Sequence, residues 1–243
     1  MEESHYHSIF AIETTHWWYR VRRKIAIDIL KRLIKKNDGS VVKILDVGCG
    51  AGGLLKELQQ FGVVYGIDIA NQVVEFCKNR GIPNVGIGSI TDIPHPDNSF
   101  DFVFALDVVE HIQDDESALH ELYRVLRLGG YAIISVPAFQ SLWGVTDELS
   151  HHVRRYNRHQ IVEKLKKAGF KIERVTYFNT LLFLPIAFIR LIVRIFGIKM
   201  KSENVSLGFV NELLYYTFNI ESKLLPIMNF PFGISILAVV QKI

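Results

Sequence analysis

Cysteine is scarce in this chain of 243 residues, with Cys49 and Cys77 the only two. They form no C-x-x-C pair, so neither a disulfide framework nor a zinc site of that kind is implied. Asp107, Glu110 and His111 are close together along one segment with no His/Asp cluster to place opposite them, so no metal is expected. An excess of one charge is lacking too. Lys plus Arg number 28 against 25 for Asp plus Glu, a net +3 that does not point to nucleic acid as a partner. Basic residues are not gathered with aromatics into a stripe. No G-x-x-x-x-G-K-[ST] element is present, which excludes a P-loop triphosphate site. The opening M-E-E-S-H-Y-H-S lacks the basic-then-apolar layout of a signal peptide. The expected setting is therefore cytoplasmic, with association at the inner face of a membrane left open. A long uncharged apolar run is also missing. The stretch 181–197 comes nearest, but Arg190 and Arg194 interrupt it, so a transmembrane span is not expected.

What is present centres on residues 41–53, V-V-K-I-L-D-V-G-C-G-A-G-G. A short apolar run reads as a buried strand ending in Asp46. Gly48, Gly50 and Gly52 then turn the chain tightly into a helix. Glycines there admit positive φ and let a ligand approach the amides of a helix N-terminus. That is a nucleotide-binding turn at the carboxyl end of a strand. Spacing alone also fits a dinucleotide fingerprint, but the acid at Asp46 suits a ligand with a cationic group better than a pyrophosphate. Asp68, with Ile69 after it, ends a second strand, where a carboxylate can accept both ribose hydroxyls. Strand and helix then alternate regularly, with strands near 84–88, 100–106 and 131–136 and a helix from about 115. This is a βαβ series with a parallel sheet.

Four segments resemble the class I S-adenosylmethionine-dependent methyltransferases: D-V-G-C-G-A-G from Asp46, G-I-D ending at Asp68, G-S-I-T-D-I-P from Gly88, and F-D-F-V-F-A-L-D-V-V-E-H-I from Phe100. L-R-L-G-G-Y-A-I-I-S-V-P from Leu126 is similar to the family's fifth strand and preceding turn. The resemblance covers roughly residues 41–178 and a last strand near the C-terminus. It implies an α/β fold, a Rossmann-like seven-stranded sheet of order 3-2-1-4-5-7-6 with strand 7 antiparallel, and S-adenosylmethionine as cofactor. By position it implies Asp46 and the glycine amides for the amino-acid portion and Asp68 for the ribose. Asp92 would meet the adenine amino group with Ile93 on the ring, and Leu106 or Asp107 would flank the sulfonium region. A nicotinamide-dependent oxidoreductase and a non-catalytic nucleotide-fold subunit are the alternatives.

On the acceptor side the candidates are more numerous. His111 sits at the mouth of the expected site, where an imidazole can take a proton as the methyl transfers, or can join Asp107 and Glu110 in a scaffold. The segment 138–160 is dense in aromatic and charged residues and reads as an acceptor loop. In it, Trp143, Arg154, Arg155 and Tyr156 are candidate acceptor contacts, and His151 and His152 are further candidate bases. Trp17 and Tyr19 either seal the first helix against the sheet or roof the pocket, with Arg20, Arg22 and Arg23 presenting charge to an anionic acceptor. Residues 1–16 are polar and expected to be loosely ordered until Ile9 and Phe10, with His5, His7 and His16 read as mobile tail histidines.

Residues 1–40 thus form an N-terminal helical cap, and 41–180 with 232–243 the cofactor-binding domain. Residues 181–231 form an apolar helical insert, expected as an αα-hairpin. That insert serves as a lid, a homodimer contact or a membrane-surface element, and suits a hydrophobic or lipid-linked small-molecule acceptor.

Overall fold

A computed structural model describes residues 13–34, 41–196 and 208–243. His5 and His7, Gly39, the expected helix stop, and Lys199 and Lys201 fall outside that range. Seven strands form one sheet: β1 (Lys43–Val47), β2 (Val63–Asp68), β3 (Val85–Ile87), β4 (Phe100–Leu106), β5 (Leu126–Pro137), β6 (Lys171–Phe178) and β7 (Ser235–Gln241). Their spatial order is β3-β2-β1-β4-β5-β7-β6, as the family resemblance implies. The first five strands run parallel, and β7 is antiparallel to both β5 and β6.

Parallel strands need cover on both faces, which is why β1 and β4 read as near-continuous apolar runs. One face is covered by α4 (Asp115–Val125) and α6 (Arg158–Lys167), through Leu119, Leu122, Ile161 and Leu165. The other is covered by α1 (Trp17–Leu33), α2 (Gly53–Leu58) and α3 (Asn71–Asn79), through Val21, Leu30, Leu55 and Val73. Local caps set where helices begin. Asp114 accepts from the Ser117 amide at 3.1 Å to start α4, and Asn157 accepts from the Gln160 amide at 2.9 Å to start α6. His16 is ordered, not loose: it is buried and caps α1, its ring accepting from the Trp18 amide. Gly129 and Gly130 lie inside β5 instead of preceding it. The strand already pairs at Leu126, and its register with β4 shifts between Phe100 and Phe102.

The insert departs from the expected hairpin. Its helices are α7 (Phe183–Phe196) and α8 (Gly208–Leu224), following the short α5 (Val145–Leu149) and α6 in chain order. The partner of α8 is α1. Asn211 accepts from the Trp17 amide at 2.8 Å, and Glu212 takes the Arg20 guanidinium at 2.5 Å. Trp18 stacks on Phe218 at 5.6 Å and on Phe178 at 5.8 Å. The N-terminal aromatics therefore seal α1 to the sheet and to the insert. By contrast α7 buries none of its residues. It is fastened by its two arginines: Arg190 donates to the Leu142 carbonyl, and Arg194 donates to those of Ser141 and Trp143 at 3.1 and 3.3 Å. No described helix is long and apolar enough to cross a membrane.

Candidate active site

The donor side forms where β1 and β2 end. Gly48 and Cys49 both donate to the Ile67 carbonyl, tying the turn to β2. Gly48 has φ +68°, and a Cβ there would lie 2.6 Å from Val108 Cγ2, so only glycine fits. At Gly50, φ +50°, a Cβ would meet nothing within 4 Å, so this face of the turn lies open to a ligand. The Gly50 amide donates to Asp68 at 3.2 Å, and the Ala70 amide to its other oxygen at 3.1 Å. Burial pushes the Asp68 carboxyl up. Ile69 is 71% exposed beside it, an apolar surface free to meet a ring.

A narrow cavity lies against this turn, lined by Glu13, Tyr19, Arg22, Asp46, Gly48 and Leu106. Asp46 is buried, and its carboxyl is pushed up to about 8, by burial first and by Glu13 and Asp68 against the pull of Arg22. Such a crowd of acids suits a cationic group. Arg22 meanwhile pairs with Asp107 and keeps a buried Nε without a partner, a donor suited to a carboxylate. A ligand carrying an ammonium and a carboxylate on one carbon fits that pairing.

Two features here escaped the sequence reading. Glu13 belongs to the polar stretch before α1, where no site residue is expected, yet it is buried and accepts from the Gly53 amide at 3.1 Å. An isolated acid in a polar tail has no periodicity to reveal it. Arg20, Arg22 and Arg23 do not present their charge to an acceptor. They pair with Glu212, Asp107 and Glu57 respectively. Of the adenine pair, Asp92 is exposed. Ile93 is buried in the core below α4, its amide donating to Glu121 and its carbonyl accepting from Arg124. In this conformation only Asp92 is open to a ligand.

Beyond β4 the acceptor side begins. Asp107 adopts φ +58° and takes Ser135 Oγ at 2.8 Å besides Arg22. A single 3₁₀ turn, Val109–His111, follows. The expected acceptor loop folds back onto it, with the Val153 amide donating to the Glu110 carbonyl at 2.8 Å. This brings His152 against His111, ring centroids 4.7 Å apart and edge to face. His152 Nδ1 lies 2.8 Å from Asp147, which also accepts from Arg155 at 2.8 Å. Burial works to raise the Asp147 carboxyl, but those two hydrogen bonds hold it down at about 2. Burial, with His152 adjacent, lowers His111 to about 4, so its ring is neutral. Burial, with Asp107 adjacent, raises Glu110 well above the ordinary carboxylate range. His151 is exposed, at φ +54°.

The remaining acceptor candidates are spent internally. Arg155 is buried on Asp147, and Tyr156, 1% exposed, donates to Asp115 at 2.8 Å. Arg154 pairs with Asp115 at 2.8 Å, and Trp17 packs against Phe218. These side chains hold the loop and the first helix in place. Tyr19 lines the donor cavity, and Trp143 is half-buried beside α7.

Comparison with known proteins accords with this geometry. The family of methyltransferase domains matches residues 45–134. An uncharacterised protein of Methanocaldococcus jannaschii is 30% identical over 160 residues, covering 63% of this chain and 74% of that one. Phosphoethanolamine N-methyltransferase 1 of Arabidopsis thaliana is 32% identical over 140 residues, covering 53% of this chain but only 28% of the plant protein. Among solved structures, geranyl diphosphate methyltransferase in complex with its cofactor shares the fold, with TM-score 0.61 and 16% identity over 93% of this chain and 87% of that one. With the strand order, the open glycine turn and the acids at the tips of β1 and β2 all in place, the chain belongs to the class I S-adenosylmethionine-dependent methyltransferases.

Proposed function

We propose that this chain transfers the methyl group of S-adenosylmethionine to a small acceptor that is hydrophobic or lipid-linked. The observation that carries the acceptor class is α7. Leu184, Phe188, Leu191 and Ile195 recur at helical spacing, and all are at least half exposed. Isolated exposed apolar residues are ordinary, but a continuous stripe marks an interaction surface. Arg190 and Arg194 fasten this helix to the 141–143 carbonyls, at the start of the loop that carries His152. A greasy substrate or a lipid surface that meets the stripe is thereby brought to the rim of the acceptor side.

On the donor side, Asp46 and Arg22 take the two charges of the amino-acid portion, Asp68 the ribose hydroxyls and Asp92 the adenine edge. The bound cofactor supplies an activated leaving group, so the protein's tasks are alignment and exclusion of water. The first helix and α8 form the wall that performs the second task. The acceptor's nucleophile is received by Glu110, His111 and His152.

The test uses S-adenosylmethionine labelled in its methyl group, incubated with the purified chain and host extract and partitioned between organic and aqueous phases. Label is expected in the organic phase, and absent with Asp68→Ala. Label confined to a small aqueous product would refute the hydrophobic acceptor while leaving methyl transfer intact.

A further inference from the structure

Glu110 is 0% exposed, and neither oxygen of its carboxylate has a hydrogen-bond partner. A buried carboxyl group without partners is costly, and it persists where something else satisfies it. What faces it is a ring nitrogen. Nδ1 of His152 lies 2.8 Å from Asp147, and Nε2 is turned inward, 3.9 Å from Glu110 Oε1. At that separation no hydrogen bond joins the two. His111 completes the group, its ring edge to face with that of His152 at 4.7 Å. One ligand-type atom from each of the three residues lies within 4.8 Å of the others.

We propose that Glu110, His111 and His152 bind one divalent first-row transition-metal ion at the acceptor side. Two ligands about 2.0–2.2 Å from a common ion stand roughly 3–3.6 Å apart at octahedral or tetrahedral angles, so a side-chain shift of a few tenths of an ångström brings Glu110 and His152, 3.9 Å apart, onto a shared ion. Two imidazoles with one carboxylate suit zinc, cobalt, iron or manganese, whereas calcium and magnesium take mainly oxygen ligands. Asp147 has the place of the carboxylate that orients a ligating histidine and fixes its tautomer. Arg155, and Arg190 at 3.6 Å, hold Asp147 in turn. The sequence expectation of no metal had lacked any group opposite Glu110 and His111. The loop 138–157 supplies it.

Three protein ligands leave positions open for the acceptor. This step rests on the methyltransferase reading. A metal-held acceptor hydroxyl releases its proton to solvent, as metal-bound water does at neutral pH. Its oxygen then forms the bond to the methyl carbon while the carbon–sulfur bond breaks. The electron pair of that bond stays on sulfur, turning the cationic sulfonium into a neutral thioether. The ion therefore selects acceptors that offer an oxygen nucleophile, and best those with a second oxygen placed to chelate.

The experiment strips the full chain with chelator and titrates it with cobalt(II), following visible absorption, and with zinc(II) by calorimetry. One ion per chain is expected. Glu110→Gln and His152→Asn should each weaken binding at least tenfold, and Asp147→Asn about 10- to 100-fold. Thermal unfolding of each variant checks its fold, and half-exposed His111→Asn gives a fourth test with little core disruption. Absence of stoichiometric binding, or equal affinity in wild type and folded Glu110→Gln, overturns the proposal. S-adenosylmethionine affinity is measured on the same samples. Metal bound without cofactor binding would sink the methyltransferase reading and leave the site standing, and cofactor bound without metal would do the reverse.

Discussion

Asp46 and Asp68 end neighbouring parallel strands, and the glycine turn between β1 and α2 reaches both. Glu110 and His152 meet only because the loop after β5 folds back onto the turn after β4. The donor side is thus built from local chain geometry, in which strand tip, turn and helix start place backbone amides and two acids with little freedom. The acceptor side is built from tertiary packing, in which Asp147, Arg155 and Arg190 orient a histidine from outside. A local device serves a ligand common to many enzymes. An assembled one can change its acceptor with little disturbance of the donor, since the two meet chiefly at Asp107 and its partners and along the first helix.

Breaking the donor side alone should give the largest effect. Asp68→Ala removes an acceptor for two hydroxyls, each charge-assisted hydrogen bond contributing about 1.5–3 kcal/mol. S-adenosylmethionine affinity measured by calorimetry should fall on the order of several hundredfold, while cobalt binding at the acceptor side stays within twofold.

The wall shared by the two sides gives the next effect. Trp18 stacks between Phe178 and Phe218, holding α1 to β6 and α8. Trp18→Ala should cost about 3 kcal/mol and lower the thermal midpoint by roughly 6–12 °C. An unchanged midpoint would mean that the first helix is an appendage instead of part of the fold.

Acidity sharpens the contrast. The Asp46 carboxyl, raised to about 8 by burial, is mostly protonated at pH 6, and an ammonium ligand favours its ionised form. Donor affinity should therefore rise with pH by up to about tenfold per unit between about pH 6 and 8, then level off. Asp46→Asn should flatten that profile. A profile in Asp46→Asn as steep as in wild type would move the titration to another group.

The smallest expected effect is on stability at α7. Leu184→Gln and Phe188→Gln lie on its exposed face and should change unfolding free energy by no more than about 0.5 kcal/mol each. Together they should reduce co-sedimentation with anionic lipid vesicles and label transfer to the organic phase. Unaltered sedimentation and transfer would remove the case for a lipid-facing α7.

Legibility in the sequence follows the same division. The glycine turn and the acids at Asp46 and Asp68 can be read because short-range spacing determines them, and the sheet order follows from the family resemblance that those segments carry. Strand β4 and the start of helix α4 fall at their expected residues. The clamp of α8 on α1 could not be read, since Trp17 and Asn211 lie far apart in sequence and Asn211 is one polar residue in an amphipathic helix. Glu13 was hidden for a similar reason. Arg154, Arg155 and Tyr156 stand out in the sequence, but the same residue types serve a substrate or an internal ion-pair network equally well. Only the positions of Asp115 and Asp147 show that here they serve the network.

The most direct test of two separable sides is His152→Asn, assayed for both donor affinity and methyl transfer to extract. The account predicts S-adenosylmethionine affinity within twofold of wild type and label transfer reduced at least a hundredfold. Donor affinity lost together with transfer, in a variant with an unchanged thermal midpoint, would contradict it and make His152 part of the cofactor site.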